Sequence, residues 1–231
     1  MIRMDTNDAG IRERHARVGR SRTFENALLA LGLGESRVLD VGCGYGEHLA
    51  AFGKGSVGIT TNLEEVAYGK RIGLDIRAGN AEALDEENLI PPYDAIWANN
   101  LFEHLLSPHA FLMGLRPFVK DDGYLVLGVP IVVPIIGRLS RFRGALASNH
   151  IGFYTPKTLR LTVERAGWQV ETLRPFLSRF ALVDRCLAPF APHLYVIAKS
   201  STAFSYPEKK IKEWQDDPRY ARLLASAPPR G

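Results

Sequence analysis

The chain has 231 residues, of which 46% are hydrophobic and 23% are charged, and its formal net charge is +4. This apolar content supports a buried core and excludes a disordered chain, and no apolar run reaches the roughly 18 residues that a transmembrane helix requires. The mild positive charge falls short of the dense basic surface of nucleic-acid-binding proteins, so we expect no nucleic-acid partner.

The cysteines and the N-terminal residues exclude further classes. Cys43 and Cys186 can form at most one bridge and have no metal-ligand spacing with the six histidines, so we expect neither a disulfide scaffold nor a metal site. The N-terminal residues carry arginines but not the apolar segment of a secretory signal, which predicts a cytoplasmic protein.

Apolar segments of strand length alternate with helix-like segments up to residue 130. The strand-like segments are residues 36–42, 56–60, 74–79, 93–100 and 123–130. Runs such as VLDV and LVLGV are apolar at every position, as in strands covered on both faces. Helical spacing is present in residues 48–52, 62–72 and 102–118, and GKGS and KDDG predict turns. The pattern predicts an α/β fold with a doubly wound, mostly parallel sheet and helices on both faces.

The rest of the chain divides into an arm, an insertion and a tail. We predict a single domain over residues 1–200, with an N-terminal helical arm over residues 1–35. Residues 131–154 predict an inserted lid, because a proline, glycines and arginines interrupt an apolar stretch there. Residues 201–231 predict a polar C-terminal helix and tail.

Residues 155–168 predict a well-defined helix, with Thr155 as N-cap, Pro156 at the first position and Gly167 at the end. Two closing strands follow, in QVETLRPF and HLYVIAKS, and a hairpin-like link leaves them antiparallel. They complete a seven-stranded sheet with an antiparallel closing strand.

A glycine-rich loop follows the first predicted strand in VLDVGCGYGEH, residues 38–48. Glycines let the backbone turn sharply and approach a ligand. A dinucleotide-binding loop requires a third glycine where Glu47 stands, and a P-loop requires a Gly-Lys-Ser/Thr sequence that does not follow. Asp40 places a carboxylate beside the loop, which suits a ligand that carries an ammonium and a sulfonium.

This loop resembles motif I of the class I S-adenosylmethionine-dependent methyltransferases, in particular the small-molecule enzymes of the type 11 kind. Further matches follow in order through residue 130, and HIGFYTPKTLRLTVERAGW is similar to the closing part of that branch. The resemblance implies S-adenosylmethionine as cofactor. It also implies backbone contacts from Gly42, Cys43, Gly44 and Gly46 to the methionine moiety, with Asp40 directed toward its amino group.

The resemblance also implies the ribose and adenine contacts. Family members usually end the second strand with an acid that binds the ribose, whereas this chain has Thr60 and Thr61. That departure resembles the cyclopropane fatty-acid synthase branch, in which a downstream polar side chain, here Glu65, binds the ribose. Asn80 replaces the usual aspartate before Ala81, and its amide oxygen can accept from the adenine amino group.

Polar residues around the end of the fourth strand are candidates for the reaction itself. By the same resemblance, Asn99 and Asn100 line the methionine end of the cofactor. A hydroxyl acceptor must lose a proton, and histidine titrates near neutral pH, which makes His104 and His150 candidate bases. The alternatives are that His104 only starts a helix and that His150 only holds the insertion in place. His15, His48, His109 and His193 form no recognisable constellation.

We therefore expect an S-adenosylmethionine-dependent methyltransferase that acts on oxygen or nitrogen of a small-molecule acceptor. Two observations favour a lipid- or lipid-linked-glycan-directed enzyme as the alternative: the departure at Thr60 and the apolar, arginine-bearing residues 131–149. The arginines of residues 131–149 would bind an anionic acceptor or an anionic membrane surface, unless the segment only completes the core or a dimer contact. The arginines between residues 12 and 22 would bind an anionic acceptor if they do not simply face solvent. A cofactor-binding protein without turnover is the third hypothesis, and both a monomer and a homodimer are compatible with the sequence.

Overall fold

A computed structural model of the chain describes residues 7–84, 89–133, 145–146, 149–201 and 204–217. The strands are β1 (Val38–Val41), β2 (Val57–Thr60), β3 (Ile76–Ala78), β4 (Tyr93–Asn99), β5 (Val119–Pro130), β6 (Trp168–Arg174) and β7 (His193–Ser200). The α-helices are α1 (Asn7–Gly19), α2 (Arg22–Ala30), α3 (Leu63–Ile72), α4 (Pro108–Leu115), α5 (Pro156–Glu164), α6 (Ala181–Leu187) and α7 (Glu208–Trp214).

The seven strands form one sheet in the order β3-β2-β1-β4-β5-β7-β6. The pairs among β1 to β5 are parallel, and β7 is antiparallel to both of its neighbours. The predicted fold class is confirmed, including the antiparallel closing strand. In a sheet of this kind ligands bind at the carboxyl ends of the parallel strands, where β7 also begins, because His193 is paired with Pro130.

The sheet is buried on both faces. Successive side chains of a strand point to opposite sides, so one strand contributes to two different apolar clusters. In β4, Ile96 and Ala98 belong to one buried apolar cluster, whereas Ala95 and Trp97 belong to another. Phe24 and Ala27 of α2 pack in the second cluster, so α2 covers part of that face. Continuous apolar strands such as VLDV are the sequence counterpart of this arrangement.

Some predicted elements are wrong in detail. Residues 102–118 are not one helix: a 3₁₀ turn at Phe102–His104 and a 3₁₀ turn at Arg116–Phe118 flank α4. The break before α4 follows from Pro108, because a residue that precedes proline avoids the α conformation, and Ser107 is accordingly non-helical. Residues 48–52 contain only one 3₁₀ turn, at Leu49–Ala51, and the turns of the glycine loop lead directly into it.

The other local differences are at the ends of elements. KDDG does not form a turn before β5 but lies within it, where the register shifts between the pairs Tyr93–Val119 and Ala95–Tyr124. Helix α5 has Thr155 and Thr158 in a capping box, and it ends before Gly167, which adopts a left-handed conformation with φ 85°. The link before β7 contains α6 rather than a simple hairpin turn.

Most of the predicted lid lies outside the described residues, including Arg138, Arg141 and Arg143. Its two ends are described and are adjacent, because Val132 N donates to Tyr154 O at 2.8 Å. Among the residues that the structure describes, no helix has the length and apolar character that crossing a membrane requires.

Candidate active site

The glycine loop makes a sharp, left-handed path at the carboxyl end of β1. Gly42, Gly44 and Gly46 have φ values of 77°, 57° and 87°, which side chains with a Cβ rarely adopt. The amides of Gly42 and Cys43 both donate to Ile59 O, at 2.9 and 3.1 Å. These bonds fix the loop against the neighbouring strand β2 and leave its outer backbone available to a ligand.

Three acids give the loop a negative environment. Asp40 is buried, and its Oδ2 has no hydrogen-bond partner. Burial, and then the charge of Glu47, raise the pKa of Asp40. Burial, followed by the charges of Asp40, Glu65 and Glu47, also raises the pKa of the Cys43 thiol, which therefore does not form a reactive thiolate. A ligand with a positively charged ammonium and sulfonium fits this loop, because it supplies a positive counter-charge for the buried Asp40 carboxylate.

Helix α1 is anchored on the glycine loop. Arg14 forms an ion pair with the buried Glu47, and the His15 Nε2 donates to Tyr45 O at 2.9 Å. The guanidinium of Arg14 also lies 5.9 Å from the centre of the Tyr45 ring. The arginines of α1 are therefore not all part of a solvated face, because Arg14 fixes the helix to the loop.

Thr60 and Glu65 meet at the carboxyl end of β2. The Thr60 hydroxyl donates to Glu65 Oε2 and accepts from Asn62 N at 3.1 Å. Asn62 is the N-cap of α3, which begins at Leu63 and so brings Glu65 back over Thr60. Thr61 is exposed beside this pair. The structure thus brings together the hydroxyl and the carboxylate that the resemblance assigns to the ribose.

Asn80 and Ala81 form a tight turn after β3. Ala83 N donates to Asn80 O at 3.0 Å, and Glu82 N donates to Asn80 Oδ1 at 3.0 Å. The amide oxygen of Asn80 therefore orders its own turn, and only its second lone pair can serve adenine. Ala81 is half-buried against the main apolar cluster.

Beyond the glycine loop, a cavity of about 450 Å³ lies at the carboxyl end of β4. Asn99, Asn100, His48 and His193 line it, together with Arg17 from α1 and apolar residues that precede β7. Asn99 Oδ1 is buried without a partner, and Asn100 has a left-handed backbone with φ 53°. An amide oxygen without a partner beside a cavity marks a place where a ligand can bind.

His48 and His193 supply the cavity with two neutral imidazoles. The Trp97 Nε1 donates to His48 Nδ1 at 3.2 Å, and the His193 Nε2 donates to Asn100 Oδ1 at 3.0 Å. Burial lowers the pKa of each to about 4, with the charges of Arg14 and His193 as smaller causes for His48. These bonds leave a lone pair on Nδ1 of His193 and a proton on Nε2 of His48. Sequence reasoning missed both residues, because they are far apart in the chain and neither carries a local motif.

The predicted bases His104 and His150 meet elsewhere, at Glu103. Their ring centres are 4.8 Å apart, and each Nε2 lies 3.9 Å from Glu103 Oε1. Their Nδ1 atoms donate to backbone carbonyls, at 3.1 Å to Asn149 O and 3.2 Å to Ala145 O. Neither histidine is among the described residues that line the cavity.

Glu103, His104 and His150 also have the donor set of a divalent-cation site. Burial raises the pKa of Glu103, whose Oε2 is buried without a partner. The three ligand atoms lie within 4.8 Å of one another, and the Nδ1 bonds leave both Nε2 lone pairs free to coordinate. The expectation of no metal site, which rested on the spacing between the cysteines and the histidines, stays a prediction; His150 comes near Glu103 only through the fold.

Comparison with known proteins identifies the family. A family model described as a methyltransferase domain matches residues 11–173, which is more than half of the chain. The chain belongs to this family. It is a class I S-adenosylmethionine-dependent methyltransferase, an enzyme with S-adenosylmethionine as cofactor, as the glycine loop and its acids indicate.

The curated relatives say less about the activity of the chain than the family model does, because they match a smaller part of it. The methyltransferase is 28% identical over 116 residues to a ubiquinone biosynthesis O-methyltransferase of Bradyrhizobium diazoefficiens, covering 46% of this chain and 45% of the relative. It is 31% identical over 99 residues to the protein of that name in Maricaulis maris, covering 39% of each chain. The matches thus span less than half the length of these relatives.

A solved structure supports the fold of the methyltransferase. An S-adenosylmethionine-dependent methyltransferase of Thermotoga maritima superposes with a TM-score of 0.60 at 17% identity, over 84% of this chain and 96% of that one. At this identity the likeness shows the fold alone. The acceptor has to be inferred from the site itself.

Proposed function

We propose that this methyltransferase methylates a hydroxyl group of a small-molecule acceptor, bound in the cavity beside Asn100. The observation that carries the proposal is the charge of that cavity. Among the described residues that line it there is no acid, whereas Arg17 contributes a cation and His48 and His193 are neutral. A protonated amine would find no counter-charge there, but a phenolic hydroxyl finds hydrogen-bond partners and an anionic substituent finds Arg17.

The cofactor is proposed to lie over β1, β2 and β4. Asp40 would accept from its ammonium, Gly42 to Gly46 would contact its methionine moiety, and Thr60 with Glu65 would hold the ribose. Support comes from the orphaned Asp40 oxygen and from the Thr60–Glu65 bond. Bound in this way, S-adenosylmethionine supplies an electrophilic methyl group for in-line transfer, so holding the acceptor close supplies most of the acceleration.

His193 is proposed as the base that accepts the hydroxyl proton. Asn100 Oδ1 accepts from His193 Nε2, which keeps the lone pair on Nδ1, and burial keeps the ring neutral down to about pH 4. His48, whose Nε2 carries its proton, would donate to the acceptor oxygen. This assignment differs from the prediction of His104 and His150, which stays untested and is included in the same assay.

The test measures S-adenosylhomocysteine formation near pH 7 with a matched acceptor set: catechol, 3,4-dihydroxybenzoate and arylalkylamines such as phenethylamine, which are protonated at that pH. We expect turnover with the hydroxyl compounds, a lower KM for the carboxylate because of Arg17, and none with the amines. His193→Gln should lower kcat about 10² to 10⁴-fold, the range for a positioned base, whereas His104→Gln and His150→Gln should retain most of it. Turnover of amines alone, or a larger loss in His150→Gln than in His193→Gln, would overturn the assignment.

The pH profile gives an independent readout for His193. A base with an ordinary pKa would lose activity as the pH falls through about 6.5. Because burial lowers the pKa of His193 to about 4, the lone pair remains available, and kcat should stay level from pH 8 down to about pH 5. An acid limb centred near pH 6.5 that His193→Gln leaves in place would assign the base to another residue.

A further inference from the structure

Helix α6 exposes its large apolar side chains to solvent and buries its acidic side chain. Its buried polar residue is Asp184, which is fully inaccessible, whereas Phe180 at its N-cap and Leu182 are 71% and 78% exposed. Val183 and Leu187 are also more than one-third exposed. A helix on a water-soluble surface normally places its apolar side chains inward and its charges outward, so this helix presents the wrong face to water.

The reversal is fixed by hydrogen bonds. Asp184 Oδ2 accepts from Arg174 Nε at 2.7 Å, and Asp184 Oδ1 accepts from Ser178 N at 2.9 Å. The same guanidinium donates to the carbonyls of Ser178 and Arg179, at 3.2 and 3.3 Å. Rotation of α6 to bury Leu182 would expose Asp184 and leave Arg174 without its partner. The outward apolar face is therefore built into the packing.

The apolar surface, residues 177–190, is basic at its edges and continuous with the proposed acceptor cavity. Arg179 and Arg185 are exposed, and the one acid in these residues is the buried Asp184. Leu177 at one end lines the cavity, as do Ala191 and Pro192 just past Phe190 at the other end. Large exposed apolar patches mark places where a soluble protein meets a partner.

We propose that the apolar surface docks on an anionic phospholipid bilayer. Phe180, Leu182 and Leu187 would enter the boundary between headgroups and acyl chains, while Arg179 and Arg185 would contact anionic headgroups. The charge of the surface selects this occupant, because residues 177–190 carry exposed cations and no exposed acid. The neighbouring acid Glu171, beside Leu182 and Arg185, is paired with Lys199. The proposal rests on the proposed function in one respect: an acceptor with an apolar portion would then pass from the bilayer to the cavity at the edge of the surface.

The experiment is co-sedimentation of the full chain with phosphatidylcholine vesicles that contain 0, ~20 or ~40% phosphatidylglycerol. We expect binding to rise with the anionic lipid and to fall with salt. Phe180→Ser/Leu182→Ser should abolish it, and Arg179→Gln/Arg185→Gln should lower the partition coefficient about five-fold per arginine. Leu63→Ser/Ile90→Ser, which removes two exposed apolar side chains elsewhere, should bind as the wild type does.

The controls separate this proposal from the proposed function. Vesicle binding is measured without cofactor or acceptor, so it does not depend on methylation. Binding without methylation would refute only the proposed function, and methylation without binding would refute only the membrane proposal. Sedimentation velocity of the wild type and Phe180→Ser/Leu182→Ser tests a second copy of the chain as the occupant. Three results would each overturn the proposal. The first is a wild type that fails to bind anionic vesicles, and the second is a Phe180→Ser/Leu182→Ser variant that binds them as well as the wild type does. The third result is a wild type that sediments as a dimer while Phe180→Ser/Leu182→Ser sediments as a monomer.

Discussion

Replacement of Asp40 by asparagine should stabilise the free enzyme and weaken its hold on the cofactor. The Asp40 carboxylate is buried, its Oδ2 has no partner, and burial raises its pKa. Because the pKa is higher in the folded state, the carboxyl favours folding below its unfolded pKa of about 4, and this contribution is lost as the pH rises through the folded pKa. An amide does not ionise, so the variant should gain stability only as the pH rises above about 4.

The size of each effect follows from ordinary costs. A buried polar group without a partner costs about 1–3 kcal/mol, and more when it is charged. A gain of about 1–2 kcal/mol at pH 7 corresponds to a Tm higher by roughly 2 to 8 °C for a chain of this length. Loss of a charged hydrogen bond to the cofactor ammonium costs about 1.5–3 kcal/mol, or roughly ten- to 100-fold in Kd.

The assay combines thermal unfolding at several pH values with calorimetric titration of S-adenosylhomocysteine. Asp122→Asn is the matched control, because Asp122 is exposed and the same change there should leave both quantities unaltered. The reasoning predicts equal Tm values for wild type and Asp40→Asn near pH 3.5 and a growing difference toward pH 7. A variant that is less stable at pH 7, or that binds the ligand as tightly as the wild type, would refute it.

Three further perturbations test the site and its frame. Glu65→Ala should weaken S-adenosylhomocysteine binding by about 1.5–3 kcal/mol in calorimetry, and an unchanged Kd would remove Glu65 from the ribose site. Gly128→Ala places a Cβ 2.1 Å from Asn99 Oδ1 and 3.0 Å from His193 Cε1, so turnover should fall at least about ten-fold by displacement of these side chains. Gly114→Ala, which meets no atom within 4 Å, should leave turnover intact. Asp184→Ala should lower the free energy of unfolding by about 3–5 kcal/mol in urea titration, because it leaves the Arg174 guanidinium without its counter-charge, and a smaller loss would show that α6 is not held by this pair.

The sequence predicted the parts of the molecule that are encoded locally. Strands β1, β2, β4 and β7 match predicted segments because strands buried on both faces require unbroken apolar residues. The glycine loop could be recognised from its sequence alone, since its left-handed turns need glycine at particular positions. Glu65 could be paired with Thr60 because the two are separated by one cap and one helical turn.

Features made by distant residues were not predictable in this way. His48 and His193 come together only because β7 begins at the carboxyl edge of the sheet, opposite Pro130. The sequence shows Glu47 only as the residue in place of a third glycine, whereas the fold buries it against Arg14. A spacing rule applied along the chain has no access to such pairs.

The direction in which α6 faces illustrates a different limit. Its sequence, ALVDRCL, is mostly apolar, and an apolar segment ordinarily predicts burial. Whether the apolar side chains or Asp184 turn inward depends on Arg174, which lies in β6 and supplies the buried partner. Periodicity gives the existence of a face but not which neighbour it meets, so only the packed structure shows the reversal.

The charges around the glycine loop, where the cofactor is proposed to bind, differ from those of the cavity proposed for the acceptor. Asp40, Glu47 and Glu65 surround the glycine loop, whereas the cavity has neutral imidazoles and Arg17 at its edge. Methyl transfer removes the positive charge of the sulfonium, so the acids favour the substrate form of the cofactor over the product and stabilise the ground state more than the transition state. Only interactions that strengthen in the transition state accelerate a reaction. Under the proposed function, the acids around the loop therefore supply selective binding and product release. The acceleration would then come from Asn99 and Asn100, which position the acceptor, and from His193, which accepts its proton.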